Sequence, residues 1–260
     1  MKTIGAGIRQ GHYAKKQLLS KDRFIAWSHR RRFEVGLRLA RMYSANGCVL
    51  DYGCGDGSLL AMLCEGGEGA PRAAVGAELS EGLVEDCRRR LGGRAGLDFV
   101  VATELERPEH RGAYDLVVCM EVLEHVVDAG AVVARLARAV APGGRLIVSV
   151  PVETGLPLLL KQAMRRVAGW RGIGDYPGTS PYTLGELWAG LFAGPRQHIA
   201  RPVHTTPDGT RFHDHKGFNW MLLRATLAER FVVERVLGSP ITWLPPHVGS
   251  QAWFVLRGRE

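Results

Sequence analysis

No apolar stretch of this 260-residue chain approaches the roughly 18 residues needed to span a membrane; the longest runs are of strand length. No transmembrane helix is expected. The opening residues, MKTIGAGIRQGHYAKKQ, carry basic side chains but lack the apolar core of a secretory signal, so the expectation is a cytoplasmic protein. Cysteine is scarce and odd in number: five, without a CxxC pair, with Cys48 and Cys119 inside apolar segments and Cys54 in a glycine-rich loop. That usage argues against a disulfide framework and against structural zinc. Internal repeats and low-complexity tracts are missing too, which removes solenoids and disordered arrays. One domain over residues 1–260, with insertions, fits the length better than two complete domains.

Positive charge, in contrast, is in excess. The net charge of +8 concentrates at His29, Arg30, Arg31 and Arg32, at Arg88, Arg89 and Arg90, and at Lys161 with Arg165 and Arg166. Such clusters suit phosphates or an acidic surface. No aromatic-interleaved RNA-binding motif accompanies them. They read as solvated helix faces, which disfavours nucleic acid as a partner.

Apolar spacing from Gln17 to Tyr43 (Leu18, Phe24, Ile25, Trp27, Phe33, Val35, Leu37, Leu39, Met42) predicts N-terminal helices within 1–47. Short apolar strands then alternate with helical segments: Cys48 to Tyr52, Ser58 to Glu65, Ala73 to Glu78 and Ser80 to Leu91. Strands at Asp98 to Ala102 and Tyr114 to Met120, a helix over Ala129 to Val140, a Pro142-Gly143-Gly144 turn and a strand from Arg145 to Val150 continue the series. This alternation predicts βαβ units and a parallel sheet across 48–152. In the lid insertion over 153–218 the pattern loosens: Gly155 to Pro207 reads as strandless over the open end of the sheet, with helical pieces at Leu158 to Gly169 and Leu184 to Phe192. A helix from Asn219 to Arg230 and strands at Phe231 to Val236 and Ala252 to Arg257 complete 219–260.

The segment VLDYGCGDGS runs from the first strand through Gly53, Gly55 and Gly57 into a helix. Glycine is needed where backbone must approach a ligand closely or take positive φ, and the helix N-terminus behind it offers free N–H donors. A dinucleotide fingerprint would place Gly or Ala at position 58, where serine stands. Asp51, before the glycines, suits a ligand ammonium group better than a pyrophosphate. Glu78 closes the second strand at a distance that suits ribose hydroxyls.

With these residues the chain resembles class I S-adenosylmethionine-dependent methyltransferases over roughly Val49 to Val152: VLDYGCGDGS, the acid of VGAELS, YDLVVCMEVLEHV and APGGRLIVSVP follow the family's order. The resemblance implies a Rossmann-like α/β fold with a seven-stranded, mostly parallel sheet, helices on both faces, N-terminal helices and a lid insertion after the fifth strand. It implies S-adenosylmethionine as cofactor, with Asp51, Gly53, Cys54, Gly55, Asp56 and Gly57 at the methionine part and Glu78 with Leu79 at the ribose. Thr103 and Glu104 would lie beside the adenine, and Met120 at the reaction end. Thr103 stands where the family often has an aspartate, so backbone groups are an alternative source of adenine contact.

Glu121 follows the fourth strand, at the carboxyl end where open α/β sheets bind ligands. A helical turn from Glu121 to Val126 would put Glu121, Glu124 and His125 on one face, where they can act as general base machinery, hold a divalent metal, or orient the cofactor. This segment is locally similar to ubiquinone-biosynthesis O-methyltransferases and, more distantly, to small-RNA 3′-end 2′-O-methyltransferases. The second similarity implies a magnesium site on Glu121, Glu124 and His125, completed by His204, His213 or His215. RFHDHKGF (Arg211 to Phe218) itself reads as a polar loop leading into the next helix. Leu156 to Trp170, apolar on one side and basic on the other, fits a lid helix better than an interfacial one, and leaves peripheral membrane contact open.

The reading is therefore methyl transfer to a hydroxyl of a small molecule held under the insertion, with His125 as base, helped by Glu121 or Glu124. An RNA methyltransferase, an NAD-dependent oxidoreductase disfavoured by Ser58, and a non-catalytic S-adenosylmethionine-binding module are the rivals. The missing Asn-Pro-Pro-Tyr segment weakens amine acceptors.

Overall fold

The computed structural model describes residues 6–15, 23–170 and 180–259; Leu18 and the part of the expected lid at 171–179 lie outside them. Helices α1 (Ala6–Arg9) and α2 (Arg23–Tyr43) precede β1 (Cys48–Tyr52), α3 (Ser58–Leu63), β2 (Ala73–Glu78), α4 (Glu81–Leu91), β3 (Leu97–Val101), β4 (Tyr114–Met120), α5 (Ala129–Ala139) and β5 (Val140–Pro151). Beyond β5 come α6 (Gly155–Trp170), α7 (Leu184–Leu191), β6 (Val203–Thr205), β7 (Arg211–His213), α8 (Trp220–Arg230), β8 (Phe231–Ser239) and β9 (Gln251–Gly258).

Seven strands form one sheet in the order β3-β2-β1-β4-β5-β9-β8. Strands β3, β2, β1, β4 and β5 are parallel, and β9 enters antiparallel between β5 and β8. This is the expected Rossmann-like sheet. The order reverses beside β1, so a crevice opens at the carboxyl ends of β1 and β4. Period-two alternation is clearest in β9: Trp253 and Val255 enter the core shared with Val35, Leu39, Leu60 and Phe99, while Phe254 and Leu256 enter the opposite core with Val117, Leu136 and Leu223. Both faces are thus covered by helices. Helix starts are set by side chains that accept from free amides: Ser80 from Leu83 N–H, Asp128 from Ala131 N–H, and Asn219 from Met221 N–H. Thr183 and Glu186 form a reciprocal capping box at α7.

Two expectations are corrected. Gly155 to Pro207 is not strandless, because it holds β6, which pairs with β7 as an antiparallel hairpin. Arg211 to His213, read as loop, is its second strand. Each strand is three residues, too short for a period-two signal, and the turn is carried by Gly209 at φ +85° and by Thr206 N–H donating to the Thr210 carbonyl at 2.9 Å. The Pro142-Gly143-Gly144 turn lies inside β5 as an irregularity, where the register with β4 shifts between Tyr114 and Leu116. No helix of the described residues is long and apolar enough to cross a membrane.

Candidate active site

A cavity of about 1740 Å³ opens at the carboxyl end of the sheet, larger than the roughly 300–1,000 Å³ of a typical single-ligand site. One half is walled by the loop after β1 and the end of β2. The other is walled by the segment after β4, by α6, and by the β6–β7 hairpin.

In the first half Gly53, Gly55 and Gly57 all take positive φ, at +74°, +56° and +71°, yet for different reasons. A Cβ at Gly53 would meet Val122 at 2.3 Å, and one at Gly55 would meet the Tyr13 ring at 3.0 Å, so both positions keep the cradle open. A Cβ at Gly57 would meet Phe99 at 2.8 Å and Leu91 at 2.9 Å, under the loop. Gly57 is absent from the cavity wall; its role is packing against β3 and α4. Glu78 accepts from Gly55 N–H at 3.0 Å and from Leu79 N–H at 2.8 Å, one per carboxylate oxygen, which leaves lone pairs facing the cavity. Asp51 is buried at the cavity wall, and desolvation, with Glu78 and Asp56 nearby, raises its carboxyl to about 7. Asp56 turns its carboxylate to Ala14 N–H at 2.8 Å and Ser58 N–H at 3.2 Å, pinning the N-terminal segment against the loop. Cys54, Leu79 and Met120 line the cavity. Thr103 and Glu104 do not. Thr103 is exposed, Glu104 accepts from Val101 N–H and pairs with Arg107 at 2.8 Å, and Ala102 forms the wall there instead.

The carbon-rich cradle with two carboxylates, Asp51 and Glu78, fits S-adenosylmethionine: one acid for its ammonium group, one for its ribose, and glycines where side chains would block it.

At the junction of the two halves, Glu121 takes φ +55°, in the left-handed region, so no helical turn runs on from β4 at this residue. The expected single helical face is replaced by a sharp bend that still brings Glu121, Glu124 and His125 to one cavity. The bend is fixed from three sides. Glu121 N–H donates to the Ser149 carbonyl at 2.9 Å, Ser149 Oγ donates to Glu121 Oε1 at 2.9 Å, and Arg32 Nη1 pairs with Glu121 Oε2 at 3.1 Å. Glu124 is fully buried, neither carboxylate oxygen is hydrogen-bonded among the described residues, and burial, followed by the charge of Glu121, pushes its carboxyl well above the usual range. His125 Nδ1 donates to the His213 carbonyl at 2.9 Å, since a carbonyl can only accept. Its Nε2 lone pair is left facing Glu124 Oε1 at 3.7 Å. The His215 ring stands edge-on to His125 at 4.8 Å, and burial lowers its imidazole to about 4.

Of the three histidines considered as a further metal ligand, His215 is the one brought to the cluster. Glu124, His125 and His215 offer ligand atoms within 4.8 Å of one another. His213 Nδ1 donates to the Pro202 carbonyl at 2.7 Å, and His204 is held by Asp214 at 3.3 Å. Glu121 is committed to Arg32 and Ser149.

Several site residues escaped the sequence reading because charged side chains default to solvent. Arg32 and His29 line the cavity, although their cluster reads as a solvated face. The inward positions Ala26, Val35, Leu39 and Ala40 of α2 continue through 29 and 32 at spacings of three and four, and that spacing could have found them. Arg88 and Arg90 are likewise structural: Arg88 Nε donates to the Phe99 carbonyl at 2.8 Å, and Arg90 to the carbonyls of Gly7 at 3.0 Å and Asp56 at 2.9 Å. Helix α6 departs from a simple amphipathic surface helix, although Leu158 is buried. Lys161 and Arg165 point inward to buried Glu153 at 3.0 and 3.4 Å, while Leu156 and Leu160 are 69% and 64% exposed at the cavity mouth.

Comparison with known proteins agrees with this geometry. Residues 25–193, more than half of the chain, match the family described as methyltransferase domain. A ubiquinone biosynthesis O-methyltransferase of Thiobacillus denitrificans is 41% identical over 98 residues, covering 37% of this chain and 40% of that protein. The chain thus matches about two fifths of the length of that relative. Among solved structures, an N-methyltransferase of Bradyrhizobium japonicum in complex with S-adenosyl-L-homocysteine aligns with TM-score 0.53 at 15% identity, over 95% of this chain and 96% of that one. A magnesium protoporphyrin IX methyltransferase of Synechocystis, also with bound S-adenosylhomocysteine, aligns with TM-score 0.53 at 20% identity, over 90% and 85%. These structural likenesses carry the fold. With the family match and the cofactor cradle, they establish that the chain belongs to the class I S-adenosylmethionine-dependent methyltransferases and is an enzyme of that family.

Proposed function

We propose that the enzyme methylates a hydroxyl oxygen of a small molecule seated between the β4 end, α6 and the β6–β7 hairpin. S-adenosylmethionine, when bound, supplies a methyl on a cationic sulfur that departs as a neutral thioether. The remaining work falls to the chain. The cavity walls hold the hydroxyl in line with that methyl and exclude water, which accounts for most of the rate. His125 removes the hydroxyl proton: the O–H bond breaks toward Nε2 as the O–C bond forms. The observation that carries this reading is the Nδ1 hydrogen bond to His213, which fixes the tautomer and leaves Nε2 as the acceptor atom. Glu124, whose carboxyl is held well above the usual range by burial, stands 3.7 Å away and packs beside the imidazole. The O-methyltransferases among the relatives support an oxygen acceptor, and the inward use of Arg32, Arg88, Arg90, Lys161 and Arg165 leaves less basic surface for RNA.

A second reading is favoured by the cluster of Glu124, His125 and His215. With one carboxylate that has no partner among the described residues and two imidazoles, it fits a divalent transition-metal cation better than the expected magnesium. Those three residues would hold it, and it would supply acidification of a bound hydroxyl.

The test pairs calorimetry with turnover. S-adenosylhomocysteine should bind and NADH should give no heat. With S-adenosylmethionine and a panel of phenols, alcohols, amines and RNA oligonucleotides, mass spectrometry should find methyl ethers of small molecules. Methylation confined to nitrogen or to RNA would replace the proposal. Cofactor binding with no transfer to any acceptor would leave a cofactor-binding module. Loss of turnover on chelation, restored by an added divalent metal such as zinc or manganese, would select the second reading.

A further inference from the structure

The inward face of α6 holds more positive charge than its buried partner neutralises. Glu153 is 1% exposed, and its Oε1 receives both Lys161 Nζ at 3.0 Å and Arg165 Nη2 at 3.4 Å. Lys161 is saturated, since it also donates to the carbonyls of Val152 at 3.0 Å and Ser250 at 3.2 Å. Arg165 is not. Among the described residues its Nε and Nη1 are buried without a hydrogen-bond partner, a costly state for guanidinium donors unless a ligand fills it. The other acids of this wall do not supply one. Glu121 is taken by Arg32, Glu124 Oε1 stands 3.7 Å from His125 Nε2, and Asp214 accepts from the amides of Ser180 at 2.6 Å and Lys216 at 2.8 Å and pairs with His204. Arg211, on the hairpin, adds a further cation to the cavity wall.

Position makes this more than a local charge imbalance. His215 Nδ1 is 3.9 Å from Glu153 Oε1, and the His215 ring is 4.8 Å from that of His125. Arg165 is therefore separated from the proposed base only by Glu153 and one imidazole. Leu160 and Met164, four residues apart on α6, line the cavity beside it. Resting on the methyl-transfer reading above, we propose that the acceptor is a hydroxy acid: its oxyanion docks on Arg165, its apolar frame lies on Leu160 and Met164, and its hydroxyl reaches His125. A guanidinium donates equally well to a carboxylate or a phosphate monoester, so the shared chemistry is a compact oxyanion on an apolar frame.

The experiment titrates the protein, saturated with S-adenosylhomocysteine, with 3-hydroxy-2-naphthoate, its uncharged amide 3-hydroxy-2-naphthamide, and 2-naphthyl phosphate. The naphthoate or the phosphate should bind at least about tenfold tighter than the amide, as expected for a charge-assisted hydrogen bond of the usual strength. Whichever of the two binds tighter identifies the acid group. Arg165→Met should abolish the preference, leave S-adenosylhomocysteine affinity unchanged, and keep the fold, because Lys161 still neutralises Glu153. Arg165→Lys should retain part of it. If Arg165→Met does not fold, Arg165→Gln takes its place. Equal binding of acid and amide by the wild type, no binding of any probe at millimolar concentration, or a preference that survives removal of Arg165 would overturn the proposal. Those failures with intact S-adenosylhomocysteine binding leave the methyltransferase reading standing. Failure to bind S-adenosylhomocysteine in the same titration would fall on that reading instead.

Discussion

His125 and His213 are bound to each other twice: the His213 amide donates to the His125 carbonyl at 2.8 Å, and His125 Nδ1 donates to the His213 carbonyl at 2.9 Å. The β6–β7 hairpin therefore orients the imidazole as well as walling the cavity. Replacing His125 by alanine should lower turnover by about 10²–10⁴-fold, the usual contribution of a general base, and leave S-adenosylhomocysteine affinity nearly intact. Rates over a pH series should keep that loss at neutral pH and recover as hydroxide or acceptor ionisation replaces the base. A variant with wild-type turnover would show that positioning alone carries the reaction.

Asp51 gives a pH dependence whose sign can be worked out. Its carboxyl stands at about 7 in the fold against an ordinary 3.8, chiefly through desolvation. The group thus contributes stability that is present in acid and lost as pH rises through about 7. Asp51→Asn should remove that loss, so the variant's unfolding midpoint should gain on the wild type from about pH 5 to about pH 8. Cofactor binding should run the other way. An α-ammonium needs the ionised carboxylate, so S-adenosylhomocysteine should bind the wild type more tightly as pH rises, with proton release, and Asp51→Asn should bind weakly at every pH. A flat profile shared by both proteins would take Asp51 out of the ammonium site.

Gly55 and Gly57 should separate under substitution although they stand two residues apart. Gly57→Ala forces a Cβ into Phe99 and Leu91 at positive φ, so it should cost about 1–3 kcal/mol or more. That appears as a lowered unfolding midpoint by differential scanning calorimetry. Gly55→Ala carries the same positive-φ strain but meets only the Tyr13 ring, which is 42% exposed, so it should lose less stability than Gly57→Ala and should also lose cofactor affinity. Equal stability losses with unchanged affinity in both would place neither glycine at the ligand.

The cofactor half was legible in the sequence because its signals are short-range. Strand, glycines and following helix lie within VLDYGCGDGS, and Glu78 closes the next strand. Gly57 shows the limit of that reading, since a motif cannot say whether a glycine faces a ligand or Phe99. The acceptor half was less legible. Glu121, Glu124 and His125 were singled out together, but the left-handed turn at Glu121 and the burial of Glu124 depend on Arg32 and Ser149, far away in sequence. Arg165 reads as surface charge, yet Glu153, two residues before α6 and itself buried, draws it inward. Among His204, His213 and His215 only three-dimensional placement chooses the residue that meets His125.

The reversed last strand has a consequence in time. The glycine loop has its partners in β1, β2, α4 and β3, so that half can assemble once the chain has passed residue 101. The acceptor half draws on residues near Arg32, Glu121, Lys161 and His215, and its rim is closed by Ser250, whose carbonyl receives both Val152 N–H and Lys161. Ser250 immediately precedes β9, the strand that must slide between β5 and β8. During synthesis, the cofactor can therefore find its cradle well before the pocket that selects the acceptor exists. Contacts of such long sequence separation also form late in refolding, so recovery of S-adenosylhomocysteine binding should precede recovery of turnover.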